Sequence, residues 1–408
     1  MSSPVKAPVW PVLAGVILCS GMLGAIVAVE DQRLIVAMLL GFAAIWFAAR
    51  RWGAVAALER SAEQHPGAVG GAILVAALAG IALLHEDNFG FLMISTVLLF
   101  ASCCIGLTIQ LGYAGVSNFG AAGFVGAGAY TAAVLNWLPW MPDLLALIGG
   151  GVAAVLVGSL LLLPVLRTRG HYAALTTLAF GIMFGVFLDA TPIVGGPQGL
   201  KLSGVNLFGW DFSNDIRLGS FLISFYANYV LLSLAIFGVA IFVASRLDRS
   251  WVGIWLDTVR LDETACAVFG VNIGFWKILA FTAGNFLAGL AGATYAKMLG
   301  FIAPNNFTLS DSLMLVSVVI LGGIGNRWGA LPATAILVLL PEKLQFIQEY
   351  RLLIFAVLVV IILMASPAGL VPRRTRRLDP HLIIGNVGWL TRLVPHARSV
   401  PSPQRGEG

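Results

Sequence analysis

The side chains that could carry out covalent or acid–base chemistry are few and scattered. The sequence contains neither a His-Glu-x-x-His nor a Gly-x-Ser-x-Gly pattern, and its four cysteines form no Cys-x-x-Cys pair. It also lacks any Gly-Lys dipeptide, so a Walker A phosphate loop is excluded. The five histidines fall in predicted loops, at the edges of apolar runs or in the tail: His65, His85, His171, His381 and His396. We therefore expect no catalytic residue, cofactor or metal site in this chain.

Ionisable groups at membrane depth would indicate a secondary transporter, because such transporters couple ions through them. Asp189 is the single carboxylate inside an apolar run and away from its ends, and it falls toward the outer end of that run. One such group is weak support, so a stand-alone secondary transporter remains the less favoured alternative.

The composition is that of a membrane protein. Of the 408 residues, 59% are hydrophobic and only 11% are charged, whereas a soluble domain carries roughly 25% charged residues. The excess apolar surface must face lipid or other helices. The net charge of +5 is too small to indicate nucleic acid as a partner. We predict an all-α, polytopic integral membrane bundle of about ten to twelve spans.

Twelve apolar runs are candidates for these spans, since a helix needs about 20 mostly apolar residues to cross the hydrocarbon. The second, tenth and eleventh are short, which leaves re-entrant helices open as an alternative. The runs are 9–29, 34–49, 67–84, 89–109, 112–135, 144–166, 171–194, 219–244, 274–299, 309–325, 329–344 and 350–366.

The basic residues predict the orientation of these spans, because cytoplasmic loops carry an excess of lysine and arginine. If the amino terminus is inside and the spans alternate, 18 of the 24 basic residues fall on the inner side. The six outer ones are Arg33, Lys201, Arg217, Lys297, Lys343 and Arg351. This predicts cytoplasmic amino and carboxyl termini.

Two segments outside the simple helical pattern are informative. The fifth run is glycine-rich from Gly112 to Tyr130, which indicates close helix packing, a broken or lined helix beside a substrate path, or both together. The outer loop 195–218 begins with Gly-Gly-Pro-Gln-Gly and continues with three aromatic residues, Phe208, Trp210 and Phe212. That loop is either an interfacial aromatic belt or a docking surface for an extracytoplasmic partner.

The polar segment between the eighth and ninth spans has the pattern of a short amphipathic helix over 254–269. At 100° per residue, one half of the wheel is apolar, and the other carries Asp257, Arg260 and Glu263. Asp262 is a misfit within the apolar arc, and Gly270 is expected to end the helix. Such a helix either rests on lipid headgroups or docks into a groove of a partner. If its apolar stripe packs on the spans, Arg260 and Glu263 point to the cytoplasm. The apolar half contains Ile254, Trp255, Val259, Leu261, Ala265, Cys266, Val268 and Phe269.

At this point the sequence resembles a known family, the LivM-type permease subunits of branched-chain amino-acid ABC transporters. Segment 249–272 resembles the coupling loop of that family. The resemblance runs in order from about residue 90 to 370. Its other motifs are 112–115, 119–120, 126–131, 167–172, 177–181, 195–200, 299–304, 321–325, 328–329 and 366–370.

The resemblance implies one subunit of an ATP-driven importer. Its partners would be a homologous second permease, two cytoplasmic ATPase subunits that bind the ATP, a periplasmic binding protein and membrane lipid. The substrate would be branched-chain or related neutral amino acids, or alternatively urea or small amides. The location would be the bacterial inner membrane, with transport by alternating access. We assign 1–66 to an extension with two spans, 67–370 to the permease core with coupling loop 246–273, and 371–408 to a cytoplasmic tail.

The resemblance also implies two sets of functional residues. The candidates for coupling to the ATPase are Asp257, Arg260, Asp262, Glu263, Ala265 and Gly270. The candidates for the translocation path are Tyr113, Ser117, Asn118, Gly120, Gly123, Tyr130, Thr176 and Thr177.

Overall fold

The computed structural model describes residues 88–343, apart from 139, 168–170, 208 and 219–220, together with scattered positions before 88 and between 353 and 373. The first three predicted spans, the twelfth span and the tail 371–408 therefore lie largely outside the described residues. The described residues of 1–372 belong to one contact unit.

Helices dominate the described part of the chain, which confirms the predicted helical membrane fold. Six of them are long and apolar enough to cross a bilayer. The helices are α1 (Asn88–Leu107, extended by a π-helix Thr108–Tyr113), α2 (Ala121–Leu135), α3 (Asp143–Arg167), α4 (His171–Ala190), α5 (Tyr226–Arg249), α6 (Trp251–Leu261), α7 (Glu263–Val268), α8 (Ile273–Leu299), α9 (Leu309–Gly322) and α10 (Ala330–Lys343). Short 3-10 turns occupy Pro192–Val194, Gly196–Gln198 and Pro304–Asn306.

The boundary between the fourth and fifth predicted spans is wrong. Helix α1 continues as a π-helix to Tyr113, and α2 begins only at Ala121. The seven residues between them, 114–120, form a break that we call the break segment. Gly115 within it has φ +70°, a left-handed conformation that side chains disfavour. The glycine-rich run is therefore an interrupted helix and not a continuous span over 112–135.

Helix α8 is the central helix, and it packs against α1, α2 and α3. The backbones of α1 and α2 lie close to that of α8 because glycines face each other across these contacts. A β-carbon added at Gly106 would lie 2.5 Å from the carbonyl oxygen of Gly284, and one added at Gly128 would lie 2.5 Å from Gly289 Cα. Small residues of this kind let membrane helices pack backbone to backbone. Close packing and interruption, which the glycine-rich pattern allowed to hold together, therefore both occur.

The two ends of the bundle differ in structure. The 27 residues of α8 rise about 40 Å at 1.5 Å per residue, which separates the ends. We call the end formed by 108–120, 246–273 and 323–329 the coupling end, and the end formed by 136–143, 191–225 and 297–306 the loop end. Short antiparallel strands occur at the loop end: β1 (Leu200–Lys201) with β6 (Phe301–Ile302), β2 (Asn206–Leu207) with β3 (Trp210–Asp211), and β4 (Ile216–Leu218) with β5 (Phe221–Ile223).

Candidate coupling site and its connections

The predicted amphipathic helix is in fact two helices. Asp262, between α6 and α7, has an extended backbone with φ −154° and ψ 100°. Its Oδ1 accepts hydrogen bonds from the backbone N–H groups of Thr264, at 2.8 Å, and Ala265, at 2.9 Å. Aspartate is a favoured N-cap because it satisfies the free N–H groups of a first turn. Asp262 did not fit the apolar arc of a single helix because it begins a second one.

Gly270 ends α7, as the sequence predicts. Its φ is +75°. Its N–H donates to Ala267 O at 3.1 Å, and the N–H of Val271 donates to Cys266 O at 3.0 Å. This pair of bonds is the Schellman motif, in which a left-handed glycine closes the helix.

The break at Asp262 changes which side chains are buried. Leu256 and Val259 of α6 are buried against the bundle. Leu261, Val268 and Phe269, which the single-helix wheel places in the apolar half, are 75%, 80% and 85% exposed. The apolar half therefore does not pack on the spans as a whole, which was the condition for Arg260 and Glu263 both to point to the cytoplasm.

Arg260 does not point away from the bundle. A β-carbon added at Gly115 of the break segment would lie 3.1 Å from Arg260 Cγ. Arg260 Nε lies 3.8 Å from the Oδ1 of Asp257, and both side chains are about a quarter exposed. The aliphatic stem of Arg260 therefore packs on the break segment, a contact that the helical pattern did not predict.

Glu263 is bound within the chain. Its Oε1 accepts a hydrogen bond from Lys277 Nζ at 2.6 Å, and the Glu263 side chain is 50% exposed. An ion pair at that exposure contributes about 0–1 kcal/mol. The pair joins α7 to the first turns of α8. Ala265, the remaining coupling candidate, is half-buried.

Three buried amide side chains connect the break segment to α1 and α8. Asn118 Nδ2 donates to Gln110 Oε1 at 2.8 Å. Gln110 Nε2 donates in turn to Asn285 Oδ1 at 2.8 Å and to the carbonyl of Phe281 at 3.1 Å. Asn118 Oδ1 also accepts the N–H of Gly120 at 3.0 Å. Of these amides, only Asn118 was a predicted site residue.

Helix α4 also contacts the break segment. The Oγ1 of Thr177 accepts the N–H of Phe119 at 3.0 Å. A β-carbon at Gly120 would lie 2.5 Å from the carbonyl oxygen of Thr177. Thr176 instead donates within its own helix to Tyr172 O. Asp189, the carboxylate considered for ion coupling, is exposed near the end of α4.

The predicted path residues are thus only partly brought together. Ser117, Asn118, Gly120 and Thr177 lie at the break segment or beside it. Tyr130 lies farther along α2, with its ring 6.0 Å from that of Phe307. Most of the set is buried inside this chain: Tyr113, Asn118, Gly120, Gly123, Tyr130 and Thr177 are buried, and Ser117 and Thr176 are half-buried.

A further ion pair holds the coupling end together. Arg327, in the loop between α9 and α10, donates from Nη1 to Asp248 Oδ2 at 3.0 Å, and its side chain is almost fully buried. The same loop reaches α1, since a β-carbon at Gly112 would lie 2.5 Å from the backbone nitrogen of Gly325. The pattern of basic residues predicts Arg327 on the inner side, but it indicates no partner for this side chain.

A second buried ion pair lies at the loop end. Lys297 Nζ, which is fully buried, contacts Asp143 Oδ1 and the Oδ1 of Asn136. Asp143 Oδ2 accepts the N–H of Asn206 at 2.6 Å, and Asn136 Oδ1 accepts the hydroxyl of Ser203 at 2.6 Å. These bonds fix the outer loop to the helices. The sequence feature that could have indicated this pair is Lys297 itself, a lysine near the outer end of the predicted ninth span.

Together, the membrane-length helices, the interrupted helix and the helical loop at the coupling end define a polytopic permease. The chain belongs to the family described as branched-chain amino acid transport system / permease component, which matches residues 88–363.

The chain is 34% identical over 284 residues to the high-affinity branched-chain amino acid transport system permease protein LivM of Escherichia coli (strain K12), and the match covers 66% of each chain. It is 33% identical to the protein of the same name from Salmonella typhimurium, with the same coverage. A probable branched-chain amino acid transport permease protein LivM of Methanocaldococcus jannaschii is 25% identical over 327 residues, and 89% of its length is matched. The chain thus spans about two thirds of the length of the two bacterial relatives. No solved structure matches this chain.

Proposed function

We propose that this chain is the permease subunit of an ATP-driven importer for branched-chain or related neutral amino acids. The observation that carries the proposal is the family match over 88–363, which includes the coupling end and the break segment. The relatives named above are permease proteins of branched-chain amino acid transport systems.

The proposal divides the work between subunits. Two cytoplasmic ATPases bind and hydrolyse ATP, a periplasmic protein delivers the substrate, and a homologous permease completes the path. This chain is non-catalytic. It supplies half of the path and one coupling segment, which consists of α6 and α7. Lipid covers the outer faces of the bundle, and the exposed apolar ladder on α3 supports this: Ile148, Val152, Leu156 and Leu160.

The orientation proposed for the bundle places the coupling end in the cytoplasm. Five basic residues support it by the positive-inside rule. They are Arg246, Arg249, Arg260, Lys277 and Arg327. The loop end then faces the periplasm, where the outer loop and its exposed Trp210 are available to the binding protein.

The surface proposed to meet the ATPase is apolar. Leu261, Val268 and Phe269 project from α6 and α7, a helix pair that also carries Asp257, Arg260, Asp262 and Glu263. Exposed apolar groups on a short amphipathic helical segment are typical of a docking surface. Asp262 and Gly270 set its shape by capping α7 at both ends. The Glu263–Lys277 pair and the stem of Arg260 hold it to the bundle.

Transport would follow from alternating access. Closure of the ATPase dimer displaces α6 and α7 as one piece, and the displacement tilts α5 and α8, which are joined to the coupling segment directly. ATP and the loaded binding protein must each favour one state over the other, because a ligand shifts an equilibrium only through its differential affinity. We propose that the path runs past the break segment, with half-buried Ser117 and Thr176 nearest to it.

The experiment that tests this function is reconstitution of the purified complex in lipid vesicles. We expect ATP-dependent uptake of labelled leucine or isoleucine only when both permeases, the ATPases and the binding protein are present. The isolated chain should not hydrolyse ATP. Uptake of labelled urea but not leucine would change the substrate class, whereas ion-driven uptake by this chain alone would support a secondary transporter.

Replacing Phe269 by serine should weaken association with the ATPase while leaving the permease folded. The side chain is 85% exposed, so its loss removes no internal contact of note. Burying a phenylalanine contributes about 1.5–3 kcal/mol, equivalent to roughly tenfold or more in affinity. Retention of the ATPase during purification and its affinity by titration are the measurements.

A matched control for this variant is Trp137→Ser, which removes an exposed aromatic side chain at the loop end. It should not change ATPase binding. If Phe269→Ser binds the ATPase as the wild type does but partitions less into anionic vesicles, the coupling segment rests on lipid headgroups instead.

A further inference from the structure

The break segment is in direct contact with the coupling helix α6. A β-carbon at Gly115 would lie 3.6 Å from both Cα and Cβ of Arg260, so the two backbones are separated by little more than a van der Waals contact. Because Gly115 has φ +70° and no side chain, it allows α6 to lie directly against the break. A displacement of α6 toward the bundle therefore acts directly on the break segment.

On its other side the break segment is held by the amide chain. Asn118, Gln110 and Asn285 are all buried, and the bonds between them measure 2.8 Å. Hydrogen bonds weaken steeply once their distance and angle depart from these values. The amide groups must therefore move together or leave buried polar groups without their bonds, which is costly.

Helix α8 contacts both the coupling segment and the amide chain. Trp255 of α6 stacks on Trp276 of α8, with ring centroids 6.1 Å apart, and Glu263 binds Lys277. The coupling segment thus touches α8 near its beginning. Through the break segment and Asn118 it reaches α8 a second time, at Asn285, about two turns farther into the bundle.

We propose that the break segment moves with α6 and carries its displacement to the middle of α8 through Asn118, Gln110 and Asn285. Asn118 is then a positioning residue for transport, because it joins the part of the chain that meets α6 to the part that packs on α8. This inference rests on the proposed function, since it concerns how ATP-driven motion reaches the helices.

The first test is Asn118→Ala in the complete, reconstituted complex. We expect normal assembly and continued ATP hydrolysis, with less substrate taken up per ATP. Coupling free energies in proteins usually correspond to factors of about 5–150, and we expect a loss within that range. Thr131→Ala is the control, because among the described residues the Thr131 hydroxyl donates to Ala127 O of its own helix α2 and is not part of the amide chain. If Asn118 had a purely structural role, its loss would lower protein yield, hydrolysis and uptake together. Either that result or an unchanged uptake per ATP would overturn the proposal.

The second test joins the two elements covalently with Gly115→Cys and Arg260→Cys, in a chain whose four native cysteines are replaced by alanine. The 3.6 Å between β-carbons is within the range of about 3.5–4.5 Å found in disulfides. If α6 and the break segment move as one body, the oxidised complex should transport at the rate of the reduced one. Loss of uptake on oxidation, with recovery on reduction, would show that they move apart and would overturn the inference.

These outcomes separate the inference from the function on which it rests. A wild-type complex without ATP-dependent uptake would refute both. The inference alone would be refuted in two cases, both with a wild-type complex that couples normally. In one, Asn118→Ala also couples fully; in the other, the disulfide stops transport.

Discussion

Gly128→Val is expected to abolish the packing of α2 on α8 and, with it, folding and transport. A β-carbon at this position would lie 2.5 Å from Cα and 2.6 Å from the carbonyl carbon of Gly289. Overpacking costs about 1–3 kcal/mol when neighbouring side chains can yield. Here the obstacle is backbone at the centre of the bundle, so we expect a larger cost. Since 1.4 kcal/mol is a factor of ten, a cost above about 3 kcal/mol lowers the folding equilibrium constant by more than about a hundredfold, and the yield of folded protein should fall with it. The measurement is the yield of monodisperse protein after detergent extraction, with uptake in vesicles.

Gly238→Val is the matched control for Gly128→Val. Gly238 lies within α5, and a β-carbon there would meet no atom within 4 Å. The change is the same in helix propensity and in added volume, but it introduces no overlap within the chain. Equal losses of folded protein in the two variants would mean that valine itself, and not the contact between α2 and α8, is responsible.

Lys297→Met is expected to destabilise the loop end strongly. The Lys297 side chain is fully buried and that of Asp143 is only 15% exposed, so removal of the lysine leaves a carboxylate without its cation. Breaking a buried pair in this way costs about 3–5 kcal/mol. The bonds from Asp143 and Asn136 to the outer loop should loosen as well. We expect a lower melting temperature of the purified subunit and faster proteolysis within residues 200–218.

A double-mutant cycle with Asp143→Asn separates the charge pair from its surroundings. Asparagine keeps an oxygen that can accept the N–H of Asn206, but it carries no charge. The double variant should therefore be more stable than the sum of the single effects predicts. Lys201→Met, at an exposed lysine of β1, should change the free energy of unfolding by no more than about 0.5 kcal/mol. Wild-type melting of Lys297→Met would contradict the buried pair.

Much of the fold could be predicted because its signals are local. Among the described residues, the apolar runs predicted α3, α4, α8, α9 and α10 within a few residues, and the runs for α9 and α10 were correctly identified as short. The eighth run, 219–244, was wrong at its start, because Phe221–Ile223 form β5 and α5 spans Tyr226–Arg249. Gly270 was recognised as a helix stop because a left-handed glycine acts on the turn that immediately precedes it. The fourth and fifth spans were divided wrongly because a π-helix, with its wider turn, carries α1 on to Tyr113.

The candidate site was less accessible to the same reasoning. The helical wheel treated 254–269 as one helix, so Asp262 was interpreted as a misfit in the apolar arc. An aspartate at such a position can equally be the N-cap of a second helix. The exposed Leu261, Val268 and Phe269 could not be distinguished from packed residues, because periodicity identifies an apolar face without identifying what covers it.

The sequence by itself determined the class of protein. Each span must be apolar because it faces lipid, and the apolar residues of each span are visible in the sequence. It also determined the absence of a phosphate loop, which is a contiguous motif. Only the tertiary structure decided which polar groups pair. Lys297 meets Asp143 from 154 residues away, Gln110 meets Asn285 from 175 residues away, and Arg327 meets Asp248 from 79 residues away. A buried charge or amide needs a partner wherever the fold supplies one, and that partner is set by how the helices pack and not by its distance along the chain.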